Sequence, residues 1–236
     1  MRKILGCVRR AVEDFNMIGD GDKVAVGVSG GKDSLALLKA LALYRRFSPV
    51  QYELYGIMLT MGLEEVDTTA IEAFCDQIEV PLTIKHTHIG RIVFEERKEP
   101  NPCSLCARMR RGALHNVALE LGCKKVALGH HREDVIDTLL LSLLYEARIN
   151  TFSPVTYLDR KDITVIRPLI YAPEIEIIRA TKRLDLPVLK NPCPADGQTK
   201  RHEMKELMNY IVTLVPNARE QILSALLNKE QYRLWD

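Results

Sequence analysis

The chain has 236 residues, 47% of them hydrophobic, enough for one continuous core, so a single α/β domain is the starting expectation. Its 33 Lys and Arg against 31 Asp and Glu leave a net charge of +2, too small to argue for a nucleic-acid partner from total charge. No stretch approaches the roughly 20 apolar residues of a membrane span, the opening MRKILGCVRRAVEDF lacks a signal peptide's apolar block, and six cysteines are too sparse for a disulfide scaffold, so a soluble cytoplasmic protein with no membrane partner is expected.

In chain order, Ile4, Val8, Val12 and Phe15 recur at helical spacing and predict a helix over residues 1–18, ended by the turn Gly19-Asp20-Gly21-Asp22. Residues 23–28 read as a short buried strand. Helix and strand then alternate: helix 34–46, strand 52–61, helix 66–79, strand 82–88, an irregular stretch 90–102, helix 104–121, strand 125–129 and helix 133–145. Beyond Asn150 a strand at 163–166 and a helix at 174–185 precede a proline-rich turn around Cys193 and helices to the end. This order predicts an α/β fold with a parallel, doubly wound, Rossmann-like sheet. The expected organisation is one domain: an N-terminal helix (1–19), a core (20–190), and a C-terminal part (191–236) with a late cysteine and final helices.

In such a sheet ligands gather beyond the carboxyl ends of the strands. Two unusual segments fall there: Ser29-Gly30-Gly31-Lys32-Asp33-Ser34 after the first strand, and Gly129-His130-His131-Arg132-Glu133-Asp134 after the strand ending near Leu128. Consecutive glycines let the backbone turn tightly and present its N–H groups, and the following helix adds the positive end of its dipole, together a phosphate cradle. Ser29 and Ser34 add hydroxyls and Lys32 a charge. The Walker A spacing and the Rossmann GxGxxG are both absent.

VAVGVSGGKDSLALL resembles the PP-loop of the adenine-nucleotide α-hydrolase-like enzymes, which cleave ATP between its α and β phosphates. That resemblance implies that Ser29, Gly30, Gly31, Lys32 and Ser34 grip the pyrophosphate portion of ATP, with Asp33 near Mg2+. GHHRED, with Asp137 and Thr138 after it, resembles the GHxxDDxxET segment of the tRNA-modifying members, which implies nucleotide contacts from Gly129 and His130 and a catalytic role for Asp134 beside Lys32 and Asp33. Glu133 and Asp137 exchange the acids of the commoner pattern.

Cys103 and Cys106 lie one helical turn apart and can face one ligand, and Cys193, held extended by Pro192 and Pro194, is the best third donor. Zinc would need a fourth donor such as His202, whereas a cubane iron–sulfur cluster on three thiolates keeps one iron open. Cys7, Cys75 and Cys123 read as small buried hydrophobes. Together with PCSLCARMRRGAL and VIRPLIYAPE, the late Pro-Cys is similar to the tRNA 2-thiocytidine synthetase family over residues 23–205. The resemblance implies a [4Fe-4S] cluster on Cys103, Cys106 and Cys193; some relatives have a second CxxC at the third site, where this chain has Asp196.

The net charge hides a local excess: residues 97–132 hold eight Lys or Arg against Glu99 and Glu120. Arg108, Arg110 and Arg111 in this stretch are the candidate RNA contacts. The expected activity is ATP-dependent adenylation of a cytidine C2 oxygen and its replacement by sulfur, with tRNA as substrate and a cysteine desulfurase or free sulfide as donor. Persulfide transfer on Cys103 or Cys193, lysidine formation, a small-molecule sulfur-transfer or desulfurising enzyme, and a non-enzymatic ATP-sensing or iron–sulfur module are the alternatives. The oligomeric state, monomer or homodimer, is left open.

Overall fold

The computed structural model describes residues 1–97, 102–190, 193, 200–228 and 230. Its first half contains α1 (Arg2–Asp14), β1 (Asp22–Val28), α2 (Lys32–Tyr44), β2 (Tyr52–Thr60), α3 (Thr69–Gln77), β3 (Leu82–His86) and α4 (Ile89–Arg91). A π-helical turn (Ile92–Glu96) extends α4, so the stretch expected to be irregular is partly helical. Then follow α5 (Pro102–Glu120), β4 (Lys125–Ala127), α6 (Arg132–Tyr145), β5 (Val155–Leu158), β6 (Ile163–Ile166), α7 (Glu174–Arg183), α8 (Lys200–Leu214) and α9 (Ala218–Leu227).

The six strands form one sheet in the order β3-β2-β1-β4-β6-β5. β1, β2, β3, β4 and β6 are parallel, as the alternation predicts. β5 departs from that expectation, pairing antiparallel with β6 from Val155 opposite Ile166 to Leu158 opposite Ile163. The connection explains it: a 3-10 turn (Asp159–Lys161) and Asp162 in the left-handed region at φ 49° join the two strands directly, and only antiparallel strands accept so short a link.

Successive side chains of a strand point to opposite faces, and β1 shows the result. Val24, Val26 and Val28 pack with α1, α2, α3 and α7, whereas Ala25 packs with Leu114, Val117 and Ala118 of α5. The sheet is therefore covered on both sides. Gly27 lies on the α5 side, where an added Cβ would stand 3.1 Å from the Leu114 side chain. A third apolar group joins Ile136 of α6 to Met208 of α8 and Ala218 of α9.

Helix α2 is apolar along nearly its whole length, and Leu35, Leu37, Leu38 and Leu41 are fully buried. It begins at Lys32, two residues before the sequence expectation, which makes Lys32 the first helical residue after the glycine turn. Packing thus anchors the helix whose amino end carries the loop. Leu41→Ala should cost roughly 2–5 kcal/mol, measured as a lower urea midpoint at unchanged slope.

Candidate functional site

At the carboxyl end of β1 the chain turns through Gly30, whose φ of +78° favours glycine. The Ser34 hydroxyl, almost wholly buried, accepts from the Ser29 amide at 3.1 Å and donates to the Gly31 carbonyl at 2.9 Å. These bonds set the loop against the first turn of α2, whose early amides have no acceptor within the helix. The Lys32 ammonium lies 2.8 Å from Asp33 and 3.1 Å from Glu174 at the start of α7. Burial works against its charge, but those two carboxylates outweigh burial and raise its pKa.

The neighbouring strand supplies the second loop. Gly129 packs so tightly on the first that a Cβ there would stand 3.0 Å from the Asp33 carbonyl carbon and 3.1 Å from the Ser34 amide nitrogen. Asp134 accepts a hydrogen bond from the His131 amide at 2.9 Å, capping α6, and its other oxygen lies 3.3 Å from Arg201. His131 is buried between acids, with Nδ1 3.3 Å from Glu133 and Nε2 3.5 Å from Asp134 and 3.8 Å from Asp33.

Adjacent histidines are driven in opposite directions. Burial opposes the charge on His131, but Glu133, Asp134 and Asp33 raise its pKa. For His130 burial dominates and lowers the pKa to about 4, so that ring is neutral near pH 7. Glu133 falls to about 2 because His131, Arg132 and the Glu174 amide overcome its burial. Asp137, only 6% exposed, is pushed up to about 6 by burial first and by Asp134 second.

The cysteine segment reaches the same edge by two routes. Helix α5 follows β3 and precedes β4, so its amino end, with Cys103 exposed and Cys106 buried, starts from the carboxyl side of the sheet. Ile89, Val93, Leu105 and Met109 pack around Cys106. Burial raises the Cys106 thiol's pKa, Arg110 opposes this, and nearby Cys193 and Cys103 add to the rise. The second route is a single backbone bond: the Leu189 amide donates to the Gly30 carbonyl at 2.9 Å. The half-buried Cys193 is four positions after Leu189, so that cysteine lies within roughly 14 Å of this contact by chain length alone.

Among the described residues no three His, Cys, Asp or Glu side chains converge closely enough to hold a single metal ion. The soft donor set Cys103, Cys106 and Cys193 fits an iron–sulfur group in kind, and a bound cation would offset the raised Cys106 pKa. His202 is exposed on α8, 3.5 Å from Glu206, and Asp196 lies outside the described residues. Cys75 and Cys123 are buried, each raised to about 11 by burial, and Cys7 is half-buried. Arg108, Arg110 and Arg111 are all exposed on α5. Glu174, Leu189 and Arg167 carry no local sequence signal of a role; each takes it from a contact with a distant segment.

A PP-loop domain signature matches residues 7–210. The chain is 38% identical to the tRNA-cytidine(32) 2-sulfurtransferase of Pelobacter propionicus, covering 100% of this chain and 88% of that protein. Identity to the protein of the same name from Geobacter sulfurreducens is 37%, covering 100% of this chain and 93% of the relative. The chain belongs to the PP-loop family and, within it, to the tRNA-cytidine(32) 2-sulfurtransferase family. Among solved structures this PP-loop chain is similar to the U34-tRNA thiolase NcsA from Methanococcus maripaludis with its [4Fe-4S] cluster: TM-score 0.77, 26% identity, 98% of this chain and 79% of the other. NMN synthetase from Francisella tularensis, with TM-score 0.54 and 15% identity over 86% of this chain and 81% of the other, shares the fold.

Two outcomes follow from the PP-loop geometry. Gly129→Ala should force the two loops apart and weaken ATP binding at least about tenfold, read by calorimetry; its close neighbours are backbone atoms, which cannot rotate away. In the nucleotide-free protein, folding raises the pKa of Asp137 from 3.8 to about 6, so the folded state binds more protons in that window and stability falls as pH rises through it. Asp137→Asn should therefore be more stable than wild type by about 2–3 kcal/mol above neutrality, with the difference vanishing below the lower pKa in denaturant titrations.

Proposed function

We propose that the chain is an ATP-dependent tRNA sulfurtransferase that adenylates the C2 oxygen of a cytidine and replaces that oxygen with sulfur. The observation that carries this reading is the Leu189–Gly30 hydrogen bond, which ties the segment leading to Cys193 to the nucleotide loop. The names of the full-length relatives and the [4Fe-4S] cluster of the NcsA thiolase support the substrate and the cofactor. Among the described residues no helix is long and apolar enough to cross a membrane.

The C2 carbonyl of cytosine is a poor electrophile with a poor leaving oxygen, so the oxygen must be activated before sulfur can replace it. ATP binds with its pyrophosphate portion at Ser29, Gly30, Gly31, Lys32 and Ser34. The Lys32 charge, held by Asp33 and Glu174 in the nucleotide-free protein, turns to the phosphates, and Asp33 is released to hold Mg2+. The base oxygen then attacks the α-phosphorus, and pyrophosphate departs against the loop amides. Asp134 fixes the start of α6, and Gly129 and neutral His130 border the nucleotide without adding charge. Cys103, Cys106 and Cys193 would hold the [4Fe-4S] cluster, which would supply the sulfur-carrying chemistry beside the nucleotide loop. Sulfide forms the C2–S bond as the C2–O bond breaks and AMP leaves with the oxygen; persulfide sulfur from a cysteine desulfurase must first be reduced to the sulfide level by two electrons from a thiol reductant. Arg108, Arg110 and Arg111 hold an unpaired loop of the RNA, since a base in duplex is shielded.

The test is anaerobic reconstitution with iron and sulfide, incubation with ATP and unmodified tRNA, and mass spectrometry of the nucleosides. Wild type should form 2-thiocytidine. Cys106→Ser should lose both bound iron and thiolation while still binding ATP, and Lys32→Ala should keep its iron and lose pyrophosphate release. Thiolation at the wild-type rate by an iron-free protein would remove the cluster from the scheme.

A further inference from the structure

Arg167 directly follows β6, at the same edge of the sheet as the two loops. Its Nη1 donates to the Ser153 carbonyl at 2.6 Å and to the Thr156 hydroxyl at 3.1 Å, and its guanidinium carbon lies 4.9 Å from the centre of the Phe152 ring. The same ring meets His130 at 4.9 Å. Yet the Arg167 Nε is buried without a hydrogen-bond partner, and among the described residues no carboxylate pairs with this arginine. Arg132 shows the contrast: also partly buried, it is matched by Glu133 at 2.7 Å and Glu220 at 2.6 Å.

A buried donor left unmet is costly, and the surroundings add to that cost. Burial, and then the guanidinium of Arg111 on α5, lower the Arg167 pKa to about 10, which leaves it charged at neutral pH. A buried guanidinium that feels a second arginine's charge, with no carboxylate paired to it among the described residues, is an arrangement that an anion completes. The neutral contacts to Ser153, Thr156 and Phe152 orient the fork without cancelling its charge. Neighbouring strands lie about 4.8 Å apart, so β6 is roughly 10 Å from β1. The phosphates of ATP have Lys32 and the glycine turn at β1, and Arg111 belongs to the exposed basic face of α5.

We propose that Arg167, with Arg111, binds a phosphodiester of the RNA substrate beside the nucleotide loop and so positions the target base over it. This rests on the tRNA reading above. Stacking of an RNA base on Phe152 is a poorer use of the site, because that ring already meets both the guanidinium and the imidazole.

Binding of unmodified tRNA to the reconstituted full-length protein, followed by fluorescence anisotropy across a salt series, tests it. Arg167→Gln should weaken tRNA binding about tenfold and flatten the log–log salt dependence by about one phosphate contact, a slope change near 0.7–0.9. ATP affinity should stay within about twofold of wild type. Arg167→Lys keeps the charge, so the slope should persist while part of the affinity is lost with the planar fork. It also carries the test should the glutamine variant misfold. A purely structural role would lower the melting temperature and leave the slope untouched, overturning the proposal. Loss of ATP affinity with tRNA affinity retained would assign the phosphate to the nucleotide and overturn it equally. Wild-type protein that binds no tRNA would sink the tRNA reading and this proposal together, a result distinct from wild-type binding that Arg167→Gln leaves unaltered.

Discussion

The hydrogen bond from the Leu189 amide to the Gly30 carbonyl is the constraint on which the rest of the site depends. Gly30 can present that carbonyl because its φ is positive, and the Leu189 side chain lies so close that a Cβ on Gly30 would stand 3.1 Å from it. The turn that shapes the nucleotide loop is therefore also the docking point of the chain running on to the third cysteine. Behind the loop, buried α2 prevents it from shifting; in front, Gly129 packs on its backbone. Three strand ends, β1, β4 and β6, consequently bring phosphate-binding, acid-rich and cationic groups to one edge.

Electrostatics divides that edge into parts with different tasks. Lys32, Asp33, His131, Glu133 and Glu174 form a network of opposite neighbours, which favours the charged forms of Lys32, Glu133 and Glu174 against burial. Asp137 and His130 lie next to it without comparable partners and are driven towards their neutral forms. In the proposed reaction a nucleotide arriving with Mg2+ would exchange partners within this network rather than create charge in an empty apolar space. The thiol region is apolar by contrast, with Ile89, Val93 and Met109 around Cys106, and burial raises the pKa of that thiol.

Much of this was legible in the chain because its signals are local. Apolar runs gave β1 and α2, and the glycine pair and the flanking serines marked the loop. The parallel core followed from the order of elements. What escaped has a common physical origin in contacts between distant segments. β5 is only four residues long and owes its direction to the turn at Asp162. The π-helical turn after α4 has no periodic signature of its own. Glu174 reaches Lys32 across well over a hundred residues, and nothing at either position announces the pair. Arg167 was visible only as part of a phrase; its missing acid can be recognised once the fold shows what surrounds it.

Adenylation and sulfur insertion by one chain must be coupled, and their stoichiometry tests that coupling most directly. Pyrophosphate and 2-thiocytidine should be quantified in the same rapidly quenched samples of reconstituted protein, ATP and unmodified tRNA. Equimolar formation, with neither product appearing when ATP or tRNA is omitted, is the predicted result. Thiolated base without pyrophosphate, or sustained pyrophosphate release without any thiolated base, would contradict it.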